Sequence, residues 1–179
     1  MKSLPKKCIV DTNVPITANK AVNPEKIPED MLDCTLACIE AVEQVFKKGG
    51  LVLDSGDEIY DEYRKHLSFK GQPGMGDKFL KWVHDNRWKF PETDRVSITK
   101  QGESYAEFPE HEGLKSFDNS DRKFIAVSNA HPNKPPILQA TDSKWLGWQK
   151  ALGEVGITVH FLCQDYIQAK YRKQLGGMS

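Results

Sequence analysis

Two short apolar runs that each end in an aspartate constrain this chain more than any other feature. Cys8-Ile9-Val10 stops at Asp11-Thr12-Asn13, with Pro15 close behind to block a longer strand, and Ile137-Leu138-Gln139-Ala140-Thr141 runs into Asp142. Leu51-Val52-Leu53 and residues 157–162 read as further strands, with a weaker one at residues 96–98. Helical stretches separate them, and strands alternating with helices predict an α/β fold around a mostly parallel sheet. Ligands of such a sheet bind outside the carboxyl ends of the strands, where Asp11 and Asp142 are expected to lie.

The helices are marked by periodicity and by their ends. Across residues 29–48 the apolar side chains Leu32, Leu36, Ile39, Val42 and Phe46 recur every three to four positions, and Gly49-Gly50 closes the run. Ser55-Gly56-Asp57-Glu58 has the form of a capping box, which predicts a helix from there to about Leu67. Residues 78–86 read as helix, as do residues 118–130, with Asp118 placed to cap the latter. A helix over residues 144–152 and a closing one from Asp165 complete the pattern.

Length and charge set the outer limits. A chain of 179 residues that is 39% apolar is expected to form one domain and to bury roughly 70% of its unfolded surface. Lys+Arg and Asp+Glu both number 25, which removes the global basic field of a DNA-coating protein and leaves any nucleic-acid contact to local patches. Residues 1–7 carry three lysines without an apolar core, and no apolar run approaches 18 residues, so a soluble, cytoplasmic protein with no membrane contact is expected. Cys8, Cys34, Cys38 and Cys163 all sit in apolar strand-like or helical runs, which predicts four reduced core thiols. No Cys-x-x-Cys or nearby His pair completes a zinc site, and the five histidines are scattered.

The acids carry the functional signal. Asp11 and Asp142, taken singly, are also what a turn or helix cap requires. Glu62 is more telling, because Ile59, Glu62, Tyr63 and His66 share one helix face, and a carboxylate on an inward face needs a cation or hydrogen-bond partner. Asp118 and Asp121 stand three apart at a helix start. Four carboxylates brought within about 5 Å repel by roughly 3 kcal/mol per pair at an effective dielectric near 20, and a hard divalent cation, Mg²⁺ or Mn²⁺, is the usual compensation.

Asp11-Thr12-Asn13 after a first strand, Glu62-Tyr63 in a helix, Asp118-x-x-Asp121 opening another and Thr141-Asp142 after a strand together resemble the PIN-domain nucleases over about residues 8 to 165. The resemblance implies a three-layer α/β/α sandwich with a central parallel sheet and an acidic cluster that binds Mg or Mn. It implies an endoribonuclease cutting single-stranded or structured RNA with a metal-activated water. Carried over position by position, Asp11, Glu62, Asp121 and Asp142 correspond to the catalytic, metal-binding acids, with Asp118 an additional candidate ligand. Asn13 and Thr141 correspond to ligand-orienting neighbours. A protein inhibitor of the antitoxin kind, or a homodimer, would be partners by the same analogy.

The chain is longer than compact toxin-like members of that family, and about 55 residues separate Glu62 from Asp118, which leaves room for a substrate-specific insertion at about residues 70–116. There Lys78, Lys81, Trp82, Arg87, Trp88 and Lys89 mix cations with aromatics, a composition suited either to gripping a nucleic-acid backbone or to a helical hairpin with its tryptophans in the core. Lys81, Arg87, Arg122 and Lys144 are the candidate substrate-binding cations. Two other readings stand beside the nuclease. One is a catalytically silent RNA- or protein-binding module. The other is a phosphohydrolase with Asp11 as nucleophile, which Asn13 disfavours because the second acid of a D-x-D pair is missing.

Overall fold

A computed structural model describes residues 3–177, so Met1 and Lys2 of the basic N-terminal stretch lie outside the described residues. Strand β1 (Ile9–Val10) leads into helix α1 (Asn13–Asn19), and α2 (Leu32–Lys48) precedes β2 (Leu53–Asp54) and α3 (Glu58–His66). After α4 (Met75–Asn86) come β3 (Arg95–Val96) and a hairpin of β4 (Lys100–Gln101) and β5 (Ser104–Tyr105). Helix α5 (Arg122–Ala130), β6 (Ile137–Gln139), α6 (Lys144–Glu154), β7 (Val159–Phe161) and α7 (Gln164–Gly176) complete the chain. The predicted α/β class holds.

The main strands are all parallel. β1 pairs with β6, β6 with β7, and β2 with β3, while an isolated parallel bridge between Cys8 and Leu51 joins the two groups in the order β3-β2-β1-β6-β7. Gly50, just before that bridge, has φ +87°, and a Cβ there would stand 1.9 Å from the Lys6 carbonyl oxygen, so the close crossing of the two segments requires glycine. Helices α1, α2 and α4 pack on one another, α5 lies against β1 and β6 and touches α3, and α6 packs on α7. Ile9, Val10, Ile137 and Leu138 are fully buried, as expected of strands covered on both faces.

Four local expectations are corrected. The buried face of α2 comprises Cys34, Thr35, Cys38, Ala41, Val42 and Val45, whereas Leu32 and Leu36 are exposed. The helix is therefore turned by roughly one residue, about 100°, from the orientation that its largest side chains suggest. Small inward residues let α2 approach its neighbours closely, which side-chain size alone does not reveal. The second correction concerns sulfur. Cys34 and Cys163 form a disulfide across a separation of 129 residues, so only Cys8 and Cys38 are free thiols, both buried. The expectation of four reduced core thiols is therefore wrong for Cys34 and Cys163.

The third correction is the cap of α3. Asp57, not Ser55, is the N-cap residue, with φ 63°, and the capping oxygens belong to Asp54 at the end of β2, which accepts from Glu58 N at 2.8 Å and Ile59 N at 2.9 Å. Burial pushes the Asp54 carboxyl above the ordinary carboxylate range, opposed by those two backbone bonds. Asp54→Ala is expected to cost about 1–2 kcal/mol, read from urea unfolding; a change within error would remove the capping role. The fourth concerns Asp118, whose side chain makes no capping bond and instead accepts from Lys144 Nζ at 3.0 Å.

Residues 70–116 are woven into the body of the fold. Helix α4 packs on α1 and α2, and β3 extends the parallel layer. The two tryptophans divide. Trp82 is partly buried against Phe46, Phe79 and Phe90, while Trp88 is 57% exposed with the Arg87 and Arg95 guanidiniums on its ring.

Candidate metal centre

Asp11 stands immediately after β1 and Asp142 three residues after β6, and each lies two residues before the first residue of a helix. Asp11 Oδ2 accepts from Asn13 N at 3.0 Å, at the start of α1, and Asp142 Oδ1 accepts from Lys144 N at 3.1 Å, at the start of α6. The capping explanation is thus correct for one oxygen of each. Asp54, by contrast, commits both oxygens to backbone. That difference separates a structural acid from acids with an oxygen to spare.

Asp118 and Asp121 arrive on the short 3₁₀ turn that precedes α5, and with Asp142 they present carboxylate oxygens that all lie within 4.8 Å of one another. Asp11 lies deeper, 4% exposed, in electrostatic contact with Asp121, Asp142 and Glu62. Burial first, and then those negative neighbours, hold its carboxyl well above the ordinary range, opposed by the Asn13 amide. Asp121 is pushed up to about 6 by burial and by Asp142, Asp118 and Glu62. The four segments predicted to contribute acids therefore do converge.

Glu62 differs from the others. It is mostly buried, with the ammonium groups of Lys123 at 3.1 Å and Lys65 at 3.6 Å and the His66 ring nitrogen at 3.3 Å. Burial would raise its pKa, but these neighbours, Lys123 foremost, outweigh it and leave the carboxyl below its ordinary value. The inward-facing acid thus has the partner its position demanded, and Lys123, 8% exposed, is a site residue the sequence reading missed. Its place in the run Lys-Phe-Ile-Ala-Val-Ser, otherwise buried throughout, was the available signal.

The two ligand-orienting candidates have clear structural duties. Asn13 Oδ1 accepts from Ala140 N at 3.1 Å and Thr141 N at 3.4 Å, tying α1 to the loop that carries Asp142. The carbonyl of Thr141 accepts from Lys170 Nζ of α7 at 3.1 Å. Gln139, also missed, accepts with Oε1 from Ala140 N and Asp142 N, at 2.9 and 3.4 Å.

The candidate substrate-binding cations are distributed less favourably. Arg122 donates to the carbonyls of Phe117 and Lys115 and to Ser104 Oγ, and covers the Phe108 ring. Arg87 pairs with Asp57, donates to the His84 carbonyl and lies 3.9 Å over the Tyr60 ring. Both guanidiniums are spent on holding the fold. Lys81 pairs with Asp85 on the surface of α4, and only Lys144, paired with Asp118, borders the acids.

Three buried side-chain polar atoms have no hydrogen-bond partner among the described residues: Thr12 Oγ1, Gln139 Nε2 and Trp145 Nε1. All three belong to residues beside the acids, and unsatisfied buried groups concentrated in one place are unusual in a folded protein. The Trp145 N–H is close enough to pull the Asp121 pKa downward while falling short of hydrogen-bond geometry. The Gln139 and Trp145 groups are N–H donors, suited to a carboxylate or a water and not to a cation, whereas the hard carboxylate oxygens of Asp118, Asp121 and Asp142 fit Mg²⁺ or Mn²⁺ and do not fit a soft metal. Comparison with protein-family models, curated proteins and solved structures returned no match.

Proposed function

We propose that this protein is a metal-dependent endoribonuclease of the PIN-like kind, a three-layer α/β/α domain in which Asp11, Asp118, Asp121 and Asp142 hold Mg²⁺ or Mn²⁺. The observation that carries the reading is the approach of three carboxylates to within 4.8 Å, with a fourth buried behind them and two of the four held above the ordinary carboxylate range. Lys144 offsets the charge of Asp118 alone, and a divalent cation would compensate the rest. When bound, the metal supplies an acidified water and neutralises charge on the scissile phosphate.

The chain's own residues do the rest. Asn13 and Gln139 fix the Asp142 loop, so that its carboxylate is positioned before a ligand arrives. Glu62, kept ionised by Lys123, Lys65 and His66, orients the attacking water by accepting its hydrogen. Lys144, paired with Asp118, and Lys65, paired with Glu62, offer exposed cations to a polyanion at the centre. Cleavage in this manner leaves a 5′-phosphate and a 3′-hydroxyl.

The experiment is incubation of purified protein with labelled single-stranded RNA and DNA, with Mn²⁺, with Mg²⁺ and with EDTA, alongside Asp142→Asn. Metal-dependent cutting that the variant lacks is expected. Binding of Mn²⁺ should also weaken as pH falls below about 6, because protonation of Asp121 competes with the metal. Titration calorimetry between about pH 5 and about pH 8 reads this directly, and a flat profile would contradict a centre containing Asp121.

A second reading has one observation in its favour. Lys123 and Lys144 already place ammonium groups on Glu62 and Asp118, so the protein supplies part of the positive charge itself, as a silent binding module could. A melting temperature unmoved by Mn²⁺, together with intact RNA, would favour that module.

A further inference from the structure

The sulfur cluster lies apart from the acids, and nothing in the proposed chemistry uses it. Cys34 and Cys38 sit one turn apart on the inward face of α2, Cys163 is the N-cap residue of α7, and the three sulfurs all lie within 4.8 Å of one another. Cys163 is bonded to Cys34, with Cα atoms 4.9 Å apart, and Cys38 is left as a fully buried free thiol. Two cysteines at i and i+4 of a helix hold their Cβ atoms about 5–6 Å apart, wider than the ~3.8 Å a disulfide prefers, so the partner open to Cys38 is Cys163.

We propose that Cys34, Cys38 and Cys163 form a thiol–disulfide relay in which Cys163 bonds to either helix cysteine, and that reduction of this bond by a dithiol releases α7 and loosens the loop carrying Asp142. In the exchange, the Cys38 thiolate attacks Cys163 Sγ. The Cys38–Cys163 bond forms as the Cys34–Cys163 bond breaks, Cys34 leaves as thiolate and takes up the proton that Cys38 lost, and no oxidant is consumed. In the reductive branch, an external dithiol supplies two electrons and two protons and becomes a disulfide itself, leaving three thiols on the protein. Burial pushes the Cys38 thiol up to about 12, so its thiolate is scarce while the core is closed, and the exchange runs through local opening at the N-terminus of α7.

The link to the acids runs through α7. Of its residues, Ile167 alone is buried. Beyond the disulfide at its N-cap, its hold on the molecule includes Gln174 Oε1 accepting from Ser143 Oγ at 2.9 Å and Lys170 Nζ donating to the Thr141 carbonyl. Those two bonds grip the residues on either side of Asp142. A helix with so little buried surface depends on its covalent anchor, and losing the anchor should let it open locally.

The effect on the metal rests on the centre proposed above, so the test separates the two. Non-reducing peptide mapping of Cys34→Ser should find a Cys38–Cys163 bond, and Cys34→Ser/Cys38→Ser should have none; free Cys38 and Cys163 thiols in folded Cys34→Ser would overturn the relay. Wild-type protein equilibrated with substoichiometric thiol provides the same answer without a variant, since both pairings should appear in the map. Hydrogen exchange of the oxidised and dithiothreitol-reduced full chain should show about tenfold or greater acceleration across residues 141–143 and 164–176, and unchanged exchange there would overturn the tether. Mn²⁺ should bind the reduced form more weakly than the oxidised one, and equal affinity would break the link to Asp142. If neither form binds Mn²⁺, the metal-centre reading fails, while mapping and exchange still decide the relay and the tether.

Discussion

Asp121→Asn should stabilise the metal-free protein at pH 7 by up to about 3 kcal/mol while lowering metal-dependent cleavage by more than about 100-fold. The two effects share one cause. In the folded protein the Asp121 carboxyl is pushed up to about 6 by burial and by three acidic neighbours, from an ordinary value of 3.8. A group raised on folding contributes stability that is complete below the unfolded value and is lost as pH rises through the folded one. The contribution is therefore present near pH 4 and gone above about pH 6, so at pH 7 the ionised carboxylate is a burden. Asparagine removes the charge and keeps the shape. Asp11→Asn should act in the same direction, since its carboxyl is also held high and the hydrogen bond it accepts from the Asn13 N–H can be kept by the amide oxygen. Thermal melts at about pH 4 and about pH 7, with and without Mg²⁺, check this: the variants should gain at the higher pH alone, and added metal should stabilise wild type more than either variant. A variant less stable than wild type at neutral pH would show that the acids are compensated within the protein.

Trp145→Ala should destabilise the protein by about 3–5 kcal/mol, the usual range for deleting a fully buried aromatic ring. Trp145 is completely buried and meets Phe117 edge-on, with ring centroids 5.1 Å apart, so truncation leaves a cavity bordered by rigid rings that cannot collapse into it. Trp145→Phe separates packing from polarity. It keeps an aromatic body in the cavity but removes the N–H that draws the Asp121 pKa down, so the Asp121 titration should move above about 6. Urea unfolding reads the first effect and carbon-detected NMR titration the second. An alanine variant that loses less than about 1 kcal/mol would show that the ring is not part of the core.

The sequence singled out acids by their local setting, although a turn or a cap accounted equally well for Asp11 and Asp142. Asp11 and Asp142 follow apolar runs, and the structure places both at strand-to-helix turns. Glu62 interrupted an inward face, and the structure gives it a buried cation. Arg122 and Arg87 show the opposite limit. A cation in the sequence is equally suited to a phosphate or to neighbouring carbonyls and rings, and both guanidiniums are taken by the fold. The orientation of α2 was hidden for a related reason. Leu32 and Leu36 dominate its periodicity, yet close packing and a disulfide favour the face bearing Cys34, Cys38, Ala41 and Val45.

What the sequence determined by itself was the alternation of strands and helices, the parallel character that follows from it, and the acids at strand ends. These depend on hydrophobic period and on interactions between residues a few positions apart, which a linear string records. The tertiary structure decided which oxygens remain after capping, that Lys123 neutralises Glu62 from 61 positions away, and that Cys34 reaches Cys163 across 129. Each of those outcomes depends on distances of a few ångströms between segments remote in the chain, where Coulomb energy and bond formation change steeply and periodicity carries no information.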